Sequence, residues 1–166
     1  MATMDDYAKQ SVELRLQRLS RTPDEIAAAI SGHSDDVLRR RPDGANWAAN
    51  EIICHLRDIE EVYLIRTKTI LANDVEVKTF ADPAAIDRMA EQRQYHRCDA
   101  AEALRAFRWW RDESLTLLRS LPAAQLQRAC LHPSRGRFTI DEFVSMVAAH
   151  DDNHLDQLRR ALDGRA

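Results

Sequence analysis

The sequence predicts an all-α protein, a four-helix bundle for which an up-down-down-up order of the long helices is possible but not required by the connection lengths. Four long segments carry apolar residues at helical spacing, and the 166 residues include only 4 glycines. The connection between the second and third segments extends from residue 73 to about residue 99. A connection of that length can cross the bundle and return the chain in the same direction.

The first long helix is predicted to begin at Thr22. Thr22 can cap the helix, Pro23 suits its first position, and Glu25 stands where a capping box requires a carboxylate. The apolar stripe that follows continues toward Pro42, which is expected to end the helix because proline cannot continue it.

The segment before this helix is ambiguous. Residues 11–17 alternate apolar and polar side chains, a pattern that fits a strand or a helical turn equally well over so short a length. We therefore expect an N-terminal arm of undecided structure over residues 1–21 and the four-helix bundle over residues 22–166.

The remaining elements are predicted from capping residues, prolines and the ends of apolar stripes. They are a helix from about Trp47 to about Ala72, a short helix begun by Asp82 and Pro83, a helix from Asp99 with a capping box completed by Glu102 to Leu121, a loop with Pro133 and Gly136, and a last helix capped by Thr139 and Glu142 that runs to about Leu162.

Composition excludes several classes of protein. With 24 basic and 27 acidic side chains the net charge is −3, so the chain lacks the basic face that general nucleic-acid binding needs. No apolar run approaches the roughly 18 to 20 residues that span a bilayer. Acidic residues near the N-terminus stand where a secretory signal carries cations, so we expect a cytoplasmic protein. Its three cysteines, Cys54, Cys98 and Cys130, form no CxxC pair and are expected to be reduced thiols.

Of the six histidines, only His150 and His154 have an informative spacing. Positions four apart on a helix share one face, and this face is otherwise apolar. Its other members are Ile140, Phe143, Val147, Leu158 and Ala161. Two imidazoles in such a face are costly unless their ring nitrogens find partners, and a metal ion is a partner for both. The alternative is a pair of core histidines hydrogen-bonded to other side chains.

A metal site needs at least a third ligand, and His55 is the best candidate. It lies near the middle of the second helix and borders that helix's apolar stripe. Glu51 and Asp58 stand on the other shoulder of the helix, where a carboxylate could orient the ring. The alternative is a half-buried histidine that hydrogen-bonds Glu51 or Asp58.

Two blocks of sequence carry a resemblance to a known family. The pattern W-x-x-x-E-x-x-x-H runs from Trp47 to His55, and H-x-x-x-H runs from His150 to His154. Over about residues 22 to 162 the chain resembles the DinB-like family, which includes the related YfiT-like metal-binding proteins. The resemblance implies an up-down-down-up bundle in which His55, His150 and His154 hold a divalent metal.

A three-histidine site leaves at least one coordination position open, as catalytic metal sites do. Nitrogen ligands suit zinc, nickel, copper or iron(II), and the sequence does not choose among them. The resemblance implies two kinds of enzyme acting on a small-molecule substrate: transferases or isomerases that use a low-molecular-weight thiol, and hydrolases that use metal-activated water. Glu51, one turn from His55, is the predicted catalytic residue, which orients a ligand or moves protons.

A second hypothesis is a non-catalytic, stress-related or metal-sensing bundle in which the histidines are structural. A polar cavity at the open position would favour the enzyme, and sealed apolar surroundings would favour the structural role. The adjacent Trp109 and Trp110 on the third helix must point in different directions. One is therefore expected in the core and the other near a rim or a partner, where an exposed tryptophan would indicate a homodimer.

Overall fold

The structure is a computed structural model that describes residues 2–73, 75–78 and 83–166, with residues 83–87 described by their backbone alone. Within these residues it consists of helices and one β-hairpin. The elements are α1 (Met4–Ala8), α2 (Val12–Ile30), α3 (Asp35–Leu38), α4 (Ala49–Ala72), α5 (Pro83–Gln92), a 3-10 helix (Tyr95–Arg97), α6 (Ala100–Ser120), α7 (Ala123–Leu126), β1 (Ala129–His132), β2 (Gly136–Thr139) and α8 (Ile140–Leu162). The long helices α2, α4, α6 and α8 form the predicted bundle.

Contacts between the long helices give the direction of each. α8 runs antiparallel to α4, because His55 faces His150 while Tyr63, about two turns later in α4, faces Phe143, about two turns earlier in α8. Leu19 and Asp24 of α2 contact Arg111 and Arg108 of α6, so α2 and α6 are antiparallel. Asn50 and Glu60 of α4 contact Cys98, just before α6, and Arg111 of α6, so α4 and α6 are parallel. Arg15 and Thr22 of α2 contact Asp141 and Asp151 of α8, so α2 and α8 are parallel. In chain order the long helices run up, down, down and up, as predicted.

The first long helix begins earlier than predicted. α2 starts at Val12, where the Ser11 hydroxyl accepts a hydrogen bond from the backbone N–H of Leu14 (3.3 Å). The alternating segment is therefore helical, and the predicted boundary between arm and bundle falls inside α2. Thr22 does not cap a helix, because its side chain is buried and its hydroxyl donates to the carboxylate of Asp151 (2.5 Å).

The proline inside α2 leaves one backbone carbonyl without its usual helical partner. Pro23 has no N–H, so the carbonyl of Leu19, four residues earlier, receives no helical hydrogen bond from it. The guanidinium of Arg111 on α6 donates to this carbonyl instead (2.9 Å). The same guanidinium binds Asp151 of α8 (2.6 Å) and Glu60 of α4 (2.8 Å). One buried side chain thus contacts all four long helices.

α2 also ends earlier than predicted. It stops at Ile30, before Gly32, whose φ of +80° is a left-handed conformation that ends a helix. The expected continuation to Pro42 is replaced by the single turn of α3. The other three long helices have the predicted bounds to within a few residues.

Two of the predicted helix caps are present, to different extents. At α8 the Thr139 hydroxyl accepts from the N–H of Glu142 (3.1 Å), whose carboxylate accepts from the N–H of Thr139 (2.8 Å), which completes the capping box. At α6 the Asp99 carboxylate accepts from the N–H of Glu102 (2.7 Å), without the reciprocal bond. Asp82, predicted to begin the short helix with Pro83, lies outside the described residues.

The hairpin of β1 and β2 was not predicted, since its sequence was interpreted as a loop. The strands pair antiparallel with Cys130 opposite Phe138, and both side chains are buried. Gly136 has a φ of +70°, which this tight connection requires. Each strand has only four residues, too few for an alternating pattern to stand out in the sequence.

The apolar core lies on both sides of a polar layer around Arg111. α8 contributes Val144 and Val147 to one apolar cluster and Leu155 and Leu158 to another. Between these clusters α8 carries the buried Asp151, which pairs with Arg111, and the half-buried His150 and His154. Among the described helices, none combines the length and the apolarity that crossing a bilayer requires.

Replacing Arg111 is expected to destabilise the protein strongly. Arg111→Met leaves Glu60 and Asp151 buried without their cation, and we expect the free energy of unfolding to fall by about 3–5 kcal/mol. Urea denaturation followed by circular dichroism measures the change.

Arg108→Met, one turn away on α6, is the matched control. Arg108 pairs with Asp24 at the surface (2.6 Å), so its loss should cost under about 1 kcal/mol. Equal losses in the two variants would contradict the central role of Arg111.

Candidate metal centre

α4 and α8 bring the three predicted ligands together. The ring of His55 on α4 lies 5.2 Å from that of His150 and 4.5 Å from that of His154, and the two α8 rings are 4.3 Å apart, measured between centroids. One nitrogen from each of the three rings lies within 4.8 Å of the other two. The structure therefore forms a three-histidine cluster from residues that are far apart in the sequence.

Hydrogen bonds orient the rings of this cluster. The Nε2 atoms of His55 and His150 are 3.2 Å apart. The Nδ1 of His154 lies 2.8 Å from the Oε1 of Gln157, so Nδ1 donates to this amide oxygen and Nε2 is left as a ligand. The buried Nδ1 of His55 has no hydrogen-bond partner among the described residues. The alternative interpretation required a hydrogen bond between His55 and Glu51 or Asp58, and neither bond is present among the described residues.

The arrangement fits a divalent metal. Metal–imidazole bonds are about 2.0–2.1 Å long, so two nitrogens 3.2 Å apart would subtend an angle of about 100° at a shared ion, close to tetrahedral. In the absence of an ion, a single proton between these two nitrogens can satisfy only that pair. A set of three imidazoles matches the preferences of zinc, nickel, copper and iron(II).

Burial keeps the three rings neutral, which is the protonation state that metal binding requires. Desolvation lowers the pKa of His55 from 6.5 to about 3, with a further contribution from His154. Desolvation also lowers the pKa of His150 and His154. The neighbouring imidazoles and the charge of Arg111 add to the lowering at His150, whereas the hydrogen bond to Gln157 opposes it at His154.

Aromatic rings lie beside the cluster. The ring of Trp47 is 5.0 Å from that of His55, and the ring of Tyr63 is 5.8 Å from that of His150. Both rings contact the imidazoles at an angle rather than stacked on them. Trp47 also borders a surface cleft of about 450 Å³ whose lining includes Arg41, Glu51 and His96.

Glu51 lies one turn before His55, but its carboxylate has other partners. It accepts hydrogen bonds from the N–H of Ala48 (2.8 Å) and from two nitrogens of Arg41 (2.7 and 2.5 Å). Burial raises the pKa of Glu51, and the hydrogen bonds with Arg41 and Ala48 outweigh this effect and lower it. Glu51 therefore stabilises the first turn of α4, where Ala48 offers no side-chain cap. Its catalytic role stays a prediction.

Asp58, the other carboxylate expected near His55, is also paired elsewhere. Its side chain is buried and binds Arg57 (2.7 Å) and Arg93 (2.8 Å). One of its oxygens, Oδ2, is buried without a hydrogen bond among the described residues. Asp58 thus joins α4 to the segment after α5.

Sequence reasoning missed the residues that support the ligands. Gln157 follows His154 by three positions, a helical neighbour spacing that could have identified it. The position of Arg111 between the four long helices, by contrast, has no local signal. It depends on four helices meeting, and no local pattern encodes that meeting.

The fold and the site together define a class of protein: an up-down-down-up helical bundle with a candidate three-histidine metal centre between its second and fourth long helices. The family model of the DinB superfamily matches residues 18–158. The chain therefore belongs to the DinB superfamily, as the sequence motifs indicated.

Two relatives from Bacillus subtilis illustrate this membership. The uncharacterized protein YuaE of strain 168 is 21% identical over 141 residues, which cover 78% of this chain and 86% of YuaE. The structure of YfiT superposes with a TM-score of 0.81 at 20% identity, covering 92% of this chain and 88% of YfiT. YfiT is described as a probable metal-dependent hydrolase with an unusual four-helix bundle topology. At this identity the likeness shows that the two chains share a fold.

Metal-free protein is expected to lose stability as the pH falls from about 7 to about 5. A histidine in the unfolded chain has a pKa near 6.5 and takes up a proton in this range, whereas the lowered pKa keeps folded His55 neutral. The unfolded state then binds more protons than the folded state. The free energy of unfolding should fall by up to about 1.4 kcal/mol per pH unit for each such histidine.

Urea denaturation in chelator at several pH values checks this expectation. His55→Gln should show a shallower pH dependence than the wild type. His33→Gln, at an exposed position after α2, should keep the wild-type slope. If the free energy of unfolding of His55→Gln has the same pH dependence as the wild type, the burial of His55 does not contribute to that dependence.

Proposed function

We propose that this protein is a divalent-metal-dependent hydrolase of a small molecule. The observation that carries the proposal is the convergence of three buried or half-buried, neutral imidazoles from His55, His150 and His154. The description of YfiT, which shares the fold, as a probable metal-dependent hydrolase supports the choice of reaction.

The three histidines would hold the metal through ring nitrogens. Zinc, nickel or iron bound there supplies a Lewis acid with a coordination position open to water or substrate. Gln157 keeps His154 in the tautomer that leaves Nε2 available. The rings of Trp47 and Tyr63 flank the cluster, at 5.0 Å from His55 and 5.8 Å from His150.

For Glu51, the contacts support a positioning role over direct proton transfer. Its ion pair with Arg41 fixes the first turn of α4, and that helix carries His55 one turn later. Loss of turnover in Glu51→Gln with unchanged metal content and stability would support the predicted catalytic role. A parallel loss of stability and metal content would support the positioning role.

Thiol-dependent transfer or isomerisation is the other chemistry that the family resemblance implies. It would use the same three ligands with a low-molecular-weight thiol as the second substrate. Assays of both reactions can therefore share one set of variants. Metal binding that stabilises the protein with no turnover in either assay would indicate the non-catalytic bundle.

Metal content is expected to be close to one ion per chain in tag-free protein, measured by inductively coupled plasma mass spectrometry. The double variant His150→Ala with His154→Ala should lose the metal because it removes two of three ligands. His132→Ala, which changes a histidine of the hairpin outside the cluster, should keep it. An intact bundle without metal in the wild type would overturn the proposal.

Hydrolysis should depend on the same ion. Chelation should abolish turnover of a panel of activated esters and amides, and added zinc, nickel or iron should restore it. The double histidine variant should remain inactive after metal addition. Activity that survives both chelation and the double variant would show that the reaction does not use this centre.

We further propose a cytoplasmic homodimer. Trp109 is 56% exposed and Trp110 is half-buried, so the expectation that one of them lies in the core is wrong. Their ring centroids are 4.4 Å apart, and together they form an apolar aromatic surface on the outside of α6. Multi-angle light scattering should give twice the mass of the chain, and Trp109→Ser should shift it toward the monomer. A monomeric mass for the wild type would contradict the dimer.

A further inference from the structure

The first two helices of the chain bind α8 between two of the metal ligands. Asp152 lies on α8 midway between His150 and His154, two residues from each. The hydroxyl of Tyr7 in α1 donates to Oδ2 of Asp152 (2.6 Å). The Nε and Nη2 atoms of Arg18 in α2 donate to its Oδ1 (2.8 and 2.7 Å). Both carboxylate oxygens of Asp152 are therefore held from α1 and α2.

The surroundings strengthen these contacts. Tyr7 and Arg18 are buried, and the side chain of Asp152 is 21% exposed. Hydrogen bonds to a charged group are short and strong, and the limited access of water strengthens them further. Asp152 is therefore held more firmly than Asp156, one turn later in α8, whose ion pair with Arg160 (3.0 Å) is exposed on both sides.

Two consecutive carboxylates of α8 are held at different angles. Asp151 is bound by Arg111 of α6 (2.6 Å) and by the hydroxyl of Thr22 in α2 (2.5 Å). Consecutive residues point about 100° apart around a helix, so Asp152 is bound at another angle. Contacts at two angles fix the rotation of α8 about its own axis.

The rotation of α8 decides whether its two histidines reach a metal ion. A helix with its side chains is about 10–12 Å across, so a ring nitrogen lies roughly 5–6 Å from the axis and moves by roughly 1 Å when the helix rotates by about 10°. Metal–ligand distances tolerate only about 0.2 Å. Because His150 and His154 lie on the same helix, one rotation displaces both of them relative to His55.

We propose that Tyr7 and Arg18 are positioning residues of the metal centre: by holding Asp152, they keep the ring nitrogens of His150 and His154 within bonding distance of the ion. This role rests on the proposed function, because it presupposes the metal. It also gives a function to residues 1–21, the segment for which the sequence predicted no definite structure.

Removal of Arg18 separates positioning from a simple effect of charge. Arg18→Met deletes a cation near the centre, so charge alone predicts tighter binding of a divalent ion. Loss of positioning predicts weaker binding, by about ten-fold. The zinc affinity of chelator-treated protein is measured by competition with a chromophoric chelator. The visible absorption bands of the cobalt(II) form report the ligand geometry, and we expect them to change in wavelength and intensity.

Arg15→Met is the matched control. Arg15 is buried and joins the same two helices through an ion pair with Asp141 at 2.7 Å, the distance between Arg18 and Asp152. Asp141 lies 150 − 141 = 9 residues before His150, about 13 Å along the helix. We expect the two metal-free variants to lose similar free energies of unfolding, whereas Arg15→Met keeps the wild-type zinc affinity and cobalt spectrum.

Tyr7→Phe is a milder variant, since it removes one hydroxyl and no charge. It should weaken zinc binding in the same direction, and it decides the question if Arg18→Met fails to fold. Unchanged zinc affinity in Tyr7→Phe, or equal losses of affinity in Arg18→Met and Arg15→Met, would overturn the positioning role alone. Wild-type protein that binds no metal would overturn the proposed function together with this role.

Discussion

The fold depends on the ion-pair network of Arg111. Removing a guanidinium and two carboxylates from water costs roughly several kcal/mol for each ion, so the network is tolerated only because every member is paired. Arg111 receives compensation from Glu60, Asp151 and the carbonyl that Pro23 leaves open. A slip of one turn between any two long helices would break at least one of these contacts inside the bundle. The network thereby fixes the axial register of the four helices.

The positions of the histidines in the candidate metal centre depend on this axial register. His150 precedes Asp151 in α8, and His55 lies five residues before Glu60 in α4. The contacts that place both carboxylates on Arg111 therefore also bring the Nε2 atoms of the two imidazoles to 3.2 Å from each other. The network has one cation and two anions, a net charge of −1. This local charge favours a divalent cation at neutral ligands, while the desolvation of the rings disfavours their protonation.

The sequence was sufficient for the fold class and for the choice of the three histidines, because both depend on strong local signals: apolar periodicity, capping boxes and the spacing of His150 from His154. The helix directions followed from the family resemblance, since the connection lengths only made them possible. The start of α2 was misjudged because Thr22-Pro23-Asp24-Glu25 has the pattern of a helix start. Inside α2, the guanidinium of Arg111 supplies the hydrogen bond that Pro23 cannot donate to the carbonyl of Leu19. The partners of Glu51 were equally hidden, since Arg41 reaches it from a loop. The start of α2 and the partners of Glu51 both depend on tertiary contacts that no local pattern shows.

The order of the ligands along the chain has a consequence for biosynthesis. His55 and His150 are separated by 95 residues, and α8 is the last of the long helices to be translated. Until α8 leaves the ribosome, the nascent chain presents a single imidazole from the cluster, and Glu60 and Arg111 lack Asp151. Binding of a metal by all three histidines would therefore follow the docking of α8. A chain interrupted before that helix would expose the groove between α2 and α4 to chaperones and proteases.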